Sequence, residues 1–155
     1  MTAAAPRVAE TLEQAGVETK VREFAESTRT AQEAAAAIGT TLGRIVKSLV
    51  FLSGDHAILA LVSGENRVDT QRLGELTGGT IKRASAEEAR AATGFSIGDV
   101  PPVGHLTKLV TYLDQDLMQF DEVWAAAGKT NTVFRITPMD LQRITGATVV
   151  DLAAR

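Results

Sequence analysis

Ile45-Val46-Lys47-Ser48-Leu49-Val50-Phe51-Leu52, followed by Ser53-Gly54-Asp55 and then by His56-Ala57-Ile58-Leu59-Ala60-Leu61-Val62, decides the fold of this chain. The first run is rich in β-branched and large apolar residues and is too short for a typical helix, so it reads as a strand. Ser53-Gly54-Asp55 carries turn chemistry, and the second run returns from it. The pair predicts a β-hairpin.

Helix signals lie on both sides of the hairpin. Upstream, Thr30-Ala31-Gln32-Glu33 has the form of a capping box, and Gly39 closes a short alanine-rich helix. Before it, Lys20–Phe24 reads as a strand and Ala3–Ala15 as a helix, with Val8, Leu12 and Ala15 on one face and Gly16 as its stop. Downstream, Asp69 can cap a helix running to Leu76. Gly78-Gly79 breaks the chain before a short strand around Ile81. Ser85-Ala86-Glu87-Glu88 is a second capping box, with Gly94 as the stop.

After the Gly/Pro loop Phe95–His105, the expected elements are a strand over Leu106–Leu113 and a short helix within Leu117–Ala127. A strand over Thr132–Ile136 follows, then a helix opened by Thr137-Pro138 and closed by Gly146, and a last strand within Ala147–Leu152. Hairpins occur among interspersed helices, so repeating βαβ units do not explain the order. The expectation is an α+β fold with a mixed sheet.

The chain has 155 residues, which fits a single domain over residues 1–155 with a real hydrophobic core. It has no cysteine, which removes disulfides, thiolate metal sites and cysteine nucleophiles. The polar N-terminus, with Arg7, Glu10 and Glu13, does not read as a signal peptide, and no apolar run is long enough to span a membrane. A cytoplasmic protein with no membrane role is expected. The net charge of −3 argues against a protein that coats nucleic acid, and no DNA partner is expected, but a few local cations could still grip the end of an RNA.

Lys47 is the most informative side chain. In a strand it shares a face with Ile45, Leu49 and Phe51, while Ser48 lies with Val46, Val50 and Leu52. An unpaired ammonium is costly to bury, so the lysine is paired, reaches solvent at the strand end, or faces a pocket where it can hold an anion or developing negative charge. The loop Gly94–His105 is the second feature. Its Gly and Pro residues impose a defined irregular path, and free amides there could bind a carbonyl or phosphate oxygen. An ordinary surface connection is the competing reading. The third is Ala125-Ala126-Ala127-Gly128-Lys129-Thr130-Asn131, whose polar end could line a site or merely connect two elements.

Gly94-Phe95-Ser96-Ile97-Gly98 matches the G-x-S-x-G pattern of serine hydrolases, but that pattern needs a strand before it and a helix after it. Here a helix precedes, and Asp99-Val100-Pro101-Pro102 blocks one after. His56 and His105 lack metal-ligand spacing, and Asp114-Gln115-Asp116 reads as a solvated turn. No phosphate-binding glycine loop is present.

Three segments taken together resemble one family. Thr30–Leu52, Gly98-Asp99-Val100-Pro101-Pro102-Val103-Gly104 as a G-x-x-x-P loop, and Val133–Leu141 with Thr145-Gly146-Ala147 fall in the order found in YbaK-type deacylases and the editing insertion of bacterial prolyl-tRNA synthetases. The resemblance spans roughly residues 20–153. It implies a curved, barrel-like mixed β-sheet with surrounding helices. It also implies hydrolysis of the ester between a wrong amino acid and the terminal adenosine of a tRNA, with no metal or organic cofactor.

Lys47 matches the lysine on which family activity depends, and Gly98 and Pro102 match the fixed loop positions. Substrate-binding residues are then expected among Ser48, Gly98, Asp99, Val100, Pro101, Pro102, Gly104, His105, Gly128, Lys129, Thr130 and Asn131. Asp99 stands where many relatives carry glycine, and Ser48 where threonine or asparagine is common. The implied partner is the acceptor end of an aminoacyl-tRNA, with a prolyl-tRNA synthetase as a further candidate. The implied substrate is tRNA(Pro) mischarged with alanine, cysteine, serine or threonine. The alternatives are a deacylase for another mischarged tRNA, or a non-catalytic module of the same fold that binds a tRNA or a synthetase. No synthetase core fits in this length, so action in trans is expected.

Overall fold

The computed structural model describes residues 4–154. The expected hairpin forms as β2 (Val46–Ser53) and β3 (His56–Ser63), paired antiparallel from Val46↔Ser63 to Ser53↔His56. Gly54 occupies the first position of the two-residue loop at φ +59°, where glycine adopts the reversed turn without steric cost.

This hairpin is the centre of a five-stranded sheet. On one side, β4 (Ile81–Arg83) pairs antiparallel with the far end of β2, over Phe51–Ser53. On the other, β5 (Val110–Asp114) runs parallel to β3, and β8 (Thr148–Val150) parallel to β5. A second sheet is antiparallel, with β7 (Thr132–Ile136) between β1 (Arg22–Glu23) and β6 (Val123–Ala126). One parallel bridge, Ile45↔Trp124, ties the two sheets together. The fold is α+β with mixed pairing, and the strands form two sheets joined at that bridge.

The helices start where the local chemistry places them. In α2 (Ala31–Ile38) and α4 (Ala86–Thr93), Thr30 and Ser85 close complete capping boxes with Glu33 and Glu88. In α3 (Thr70–Thr77) and α5 (Pro138–Thr145), Asp69 and Thr137 accept from Arg72 N and Asp140 N. Each such cap is worth about 1 kcal/mol. The first helix, α1, spans Ala4–Gln14, and the expected start at Ala3 lies outside the described residues.

The main core lies between the sheets. Val46, Val50, Leu59 and Leu61 from one side meet Val123, Ala125, Phe134 and Ile136 from the other, and Val8 and Leu12 of α1 close an end. A second cluster, with Phe51, Ile58, Ala60, Val62, Leu73 and Leu152, brings α3 against the other side of the hairpin. A third seats Ala34 and Ala35 of α2 on Ile45, Trp124 and Val133. Each large apolar side chain buried in this way contributes about 1.5–3 kcal/mol.

Five expectations change. The helix expected within Leu117–Ala127 is a 3-10 turn over Gln115–Gln119, and Val123–Ala126 is strand β6. Alanine favours helix by local propensity, but pairing with β7 and burial of Ala125 and Ala127 override it. The strand expected over Leu106–Leu113 begins only at Val110, because the Leu106 N–H is taken by the Thr93 carbonyl at the end of α4 rather than by a neighbouring strand. Lys20–Phe24 and Ala147–Leu152 shorten to Arg22–Glu23 and Thr148–Val150. Asp114-Gln115-Asp116 is not a solvated turn. Asp114 is fully buried, and its carboxylate accepts from Asn66 Nδ2 at 2.9 Å and from Leu152 N at 3.1 Å.

Candidate functional site

The outer edge of β2 is engaged at both ends and open between them. Its start is held to β6 by the Ile45↔Trp124 bridge, and its end is paired with β4 from Phe51 onward. Where the sheets part, Val46–Leu49 line a cavity of about 490 Å³. The opposing wall is Trp124, Ala125 and Ala126 of β6 with Val133 of β7, and α2 contributes Ala34 and Ile38. Two loops complete it, one through Ile97, Gly98 and Val100, the other through Thr28 and Arg29.

The charges around this cavity share one sign. Lys47, Arg29 and Arg83 line it, and no aspartate or glutamate does among the described residues. In a chain of net charge −3 that segregation marks a place for an anion. Lys47 is half-buried, and its ammonium donates to the carbonyl of Asn66. Burial holds its pKa below the ordinary lysine value, and the charges of Arg83 and Arg67 push the same way. No carboxylate pairs with it among the described residues, so an incoming anion would meet a cation already stripped of part of its water.

Two polar atoms of the lining have no partner, the Ser48 hydroxyl oxygen and Trp124 Nε1. Each is enclosed, and an enclosed polar atom without a hydrogen bond costs about 1–3 kcal/mol. Trp124 also borders an outer groove with Lys20, Arg22 and Arg135, where the Arg22 guanidinium lies 5.4 Å from the indole ring centre.

Lys47, Ser48, Gly98 and Val100 meet at the cavity. The other residues expected at the site hold its walls or lie beside it. Asp99 is buried and accepts from Thr130 Oγ1 at 3.3 Å, which joins the loop to the β6–β7 hairpin. Pro101 and Pro102 are buried beneath the loop. His105 Nε2 lies 2.7 Å from the Pro101 carbonyl. Burial lowers the pKa of His105, outweighing the opposite effect of that bond, so the neutral ring donates through Nε2–H.

Gly128, at φ +92°, lies against Phe95: a Cβ there would come within 2.4 Å of the ring. Lys129 is exposed, and Gly104 packs near Val8 of α1. Asn131 is the one non-glycine residue at positive φ among the described residues, +62°, and its Oδ1 accepts from Thr28 N at 3.2 Å. Ser96, the centre of the G-x-S-x-G match, accepts from Arg90 at 2.8 Å and is absent from the lining. No group of three or more metal-ligating side chains occurs among the described residues.

Sequence reasoning did not single out Arg29, Arg83, Asn66 or Trp124. No periodicity marks them. Only Arg29 had a local signal, as the residue immediately before the cap Thr30.

The two-sheet α+β scaffold presents a lysine and a Gly/Pro loop to a cavity whose lining carries cations and no carboxylate among the described residues. The chain belongs to the aminoacyl-tRNA editing domain family, whose model matches residues 25–144. It superposes with a TM-score of 0.94 on a crystal structure described as a candidate trans-editing enzyme for prolyl tRNA synthetase, at 50% identity, covering 100% of this chain and 99% of that one. It is 36% identical over 125 residues to the uncharacterized protein YwhH of Bacillus subtilis strain 168, covering 80% of each. It is 26% identical over 132 residues to a proline–tRNA ligase of Caldicellulosiruptor bescii, covering 79% of this chain and 23% of the ligase. The YbaK-like, prolyl-tRNA-synthetase-related identity expected from the sequence is thereby established. No helix among the described residues is long and apolar enough to cross a membrane.

Proposed function

We propose that this chain is an aminoacyl-tRNA deacylase that acts in trans on tRNA(Pro) carrying a small wrong amino acid. The observation that carries the reading is the desolvated, carboxylate-free Lys47 at an acid-free cavity beside the Gly98–Pro102 loop. Family membership and the likeness to a candidate trans-editing enzyme support it.

In this mechanism Lys47 holds the phosphate of the terminal adenosine and balances negative charge. The loop around Gly98 orients the ester and polarises its carbonyl through main-chain amides. Water adds to the carbonyl carbon, the bond to the ribose oxygen breaks, and the products are a free amino acid and a tRNA with its hydroxyl restored. The adjacent ribose hydroxyl is the candidate proton relay, because no side chain in the lining is a carboxylate or a histidine. Orientation and electrostatics are sufficient for an ester already activated toward attack.

The amino-acid side chain is assigned to the wall formed by Ile38, Ala126 and Val133, with the Ser48 hydroxyl as its polar contact. A wall of this kind suits alanine, cysteine, serine or threonine. The test is release of amino acid from tRNA(Pro) charged with each of these, with matched other tRNAs, by wild type and Lys47→Ala. Release by wild type alone supports the reading. No release from any substrate refutes it.

A further inference from the structure

We infer that Arg29 is a second phosphate-binding residue, gripping a phosphodiester of the single-stranded 3′ end of the tRNA at the mouth of the cavity. The inference rests on the aminoacyl-tRNA reading and adds a residue that no motif marks.

The first observation is steric. A Cβ on Gly98 would lie 2.7 Å from Arg29 Nη2, 2.9 Å from Nε and 3.2 Å from Cζ. The guanidinium fills the space that any side chain at position 98 would need. The φ of Gly98 lies outside the left-handed region, so its backbone conformation alone does not demand glycine. Glycine leaves the Arg29 guanidinium its present place, and a Cβ at position 98 would push that flexible end aside.

The second observation is that the backbone around Arg29 is fixed from both sides. Thr28 N donates to Asn131 Oδ1 at 3.2 Å, and Phe24 N donates to Asn131 O at 2.9 Å. On the other side, Thr30 caps α2, and its own N–H donates to Glu33 Oε1 at 3.2 Å. Arg29 N donates to Ser27 Oγ at 3.4 Å, and Ser27 Oγ donates in turn to Glu33 at 2.9 Å. Asn131 holds φ +62°, a conformation asparagine tolerates better than most residues.

The third observation is that no hydrogen bond or salt bridge holds the guanidinium among the described residues, and Glu33 acts on it only through charge attraction. The Glu33 carboxylate is engaged by Ser27 and Thr30. A planar five-donor cation, exposed at a cavity mouth on an anchored strap, has the geometry for a phosphate. The single ester at the reaction centre is neutral and does not call for three cations in a lining without a carboxylate. The charged backbone of the RNA that carries it does.

The test is fluorescence anisotropy with a labelled minihelix of the tRNA(Pro) acceptor stem ending in single-stranded CCA. Kd is measured against KCl for wild type, Arg29→Gln, Arg29→Lys and Gly98→Ala. Arg29→Gln is expected to weaken binding about tenfold and to flatten the log–log salt slope by about 0.7, the loss of one single-strand phosphate contact. Arg29→Lys should recover the slope, and Gly98→Ala, which displaces the guanidinium, should shift Kd in the same direction as Arg29→Gln.

A wild-type slope in Arg29→Gln overturns the inference, as does failure of wild type to bind the minihelix. The deacylase reading is judged separately, in the release assay. Binding with the expected slope change but without hydrolysis sustains the inference and sinks that reading. Hydrolysis with an unchanged slope does the reverse.

Discussion

The ammonium of Lys47 donates to the main-chain carbonyl of Asn66, and the side chain of Asn66 is itself fastened to Asp114 and Asp116 at 2.9 and 2.8 Å. The lysine is therefore aimed by a turn whose geometry is set by a buried carboxylate. A lysine aimed in this way is a fixed charge, and a fixed charge stabilises a phosphate or a developing oxyanion without first reorganising.

Lys47→Met is expected to abolish deacylation, by at least about 100-fold, while leaving the fold intact. Its folded-state pKa is depressed, so carrying the charge at neutral pH costs folding free energy. That cost is fully present below the depressed value and disappears as pH rises toward the ordinary value of about 10.4. Removing the charge should hold or raise the melting temperature at pH 7. Loss of both activity and fold would indicate a structural lysine.

Asn66→Ala should destabilise the chain by about 1–3 kcal/mol, since Asp114 is fully buried and loses one of its hydrogen-bond donors. Urea unfolding measures the cost. Turnover should fall as well, because the turn that positions Lys47 is released.

Ser48→Ala removes an enclosed hydroxyl that has no partner, so stability should be unchanged or rise by up to about 2 kcal/mol. Discrimination among alanyl-, cysteinyl-, seryl- and threonyl-tRNA(Pro) should change with it. Identical relative rates in wild type and variant would remove Ser48 from the specificity pocket.

Gly128→Ala is expected to cost about 2–4 kcal/mol, combining strain at φ +92° with a Cβ placed 2.4 Å from the Phe95 ring. Phe95 is almost wholly buried under the loop and cannot move aside cheaply. The drop would be read from thermal or urea unfolding.

His105 makes stability depend on pH in a defined direction. Burial is the larger influence on its pKa and lowers it, the nearby Arg7 charge lowers it further, and the bond to Pro101 opposes both. The unfolded chain therefore takes up this proton first. Stability is complete above about pH 6.5 and falls as pH drops toward the depressed value, with a slope of at most about 1.4 kcal/mol per pH unit. His105→Gln should remove that part of the slope between pH 7 and 5.

Much of the frame was legible because its signals are local. Thr30, Ser85, Asp69 and Thr137 each bond a backbone N–H three residues on, and such a bond depends on the segment alone. The β2–β3 hairpin is nearly as local, with a two-residue loop between two apolar runs. Lys47 stood out for the same reason, as one charge inside a run that must be largely covered.

Local signals along the chain therefore suffice for the capped helices, the central hairpin, the mixed α+β class and the lysine within it. Long-range contacts make the alanine-rich Val123–Ala126 a strand, since its helical preference yields to pairing with β7. They alone decide that two sheets part beyond the Ile45–Trp124 bridge to open a cavity. They alone decide that Asn131 reaches Thr28 across 103 residues to set Arg29 over Gly98. The reason is physical. Contacts between distant residues must first overcome the entropy of closing long loops, and they form only when the burial of the whole core repays that cost together, so no short window of sequence contains them.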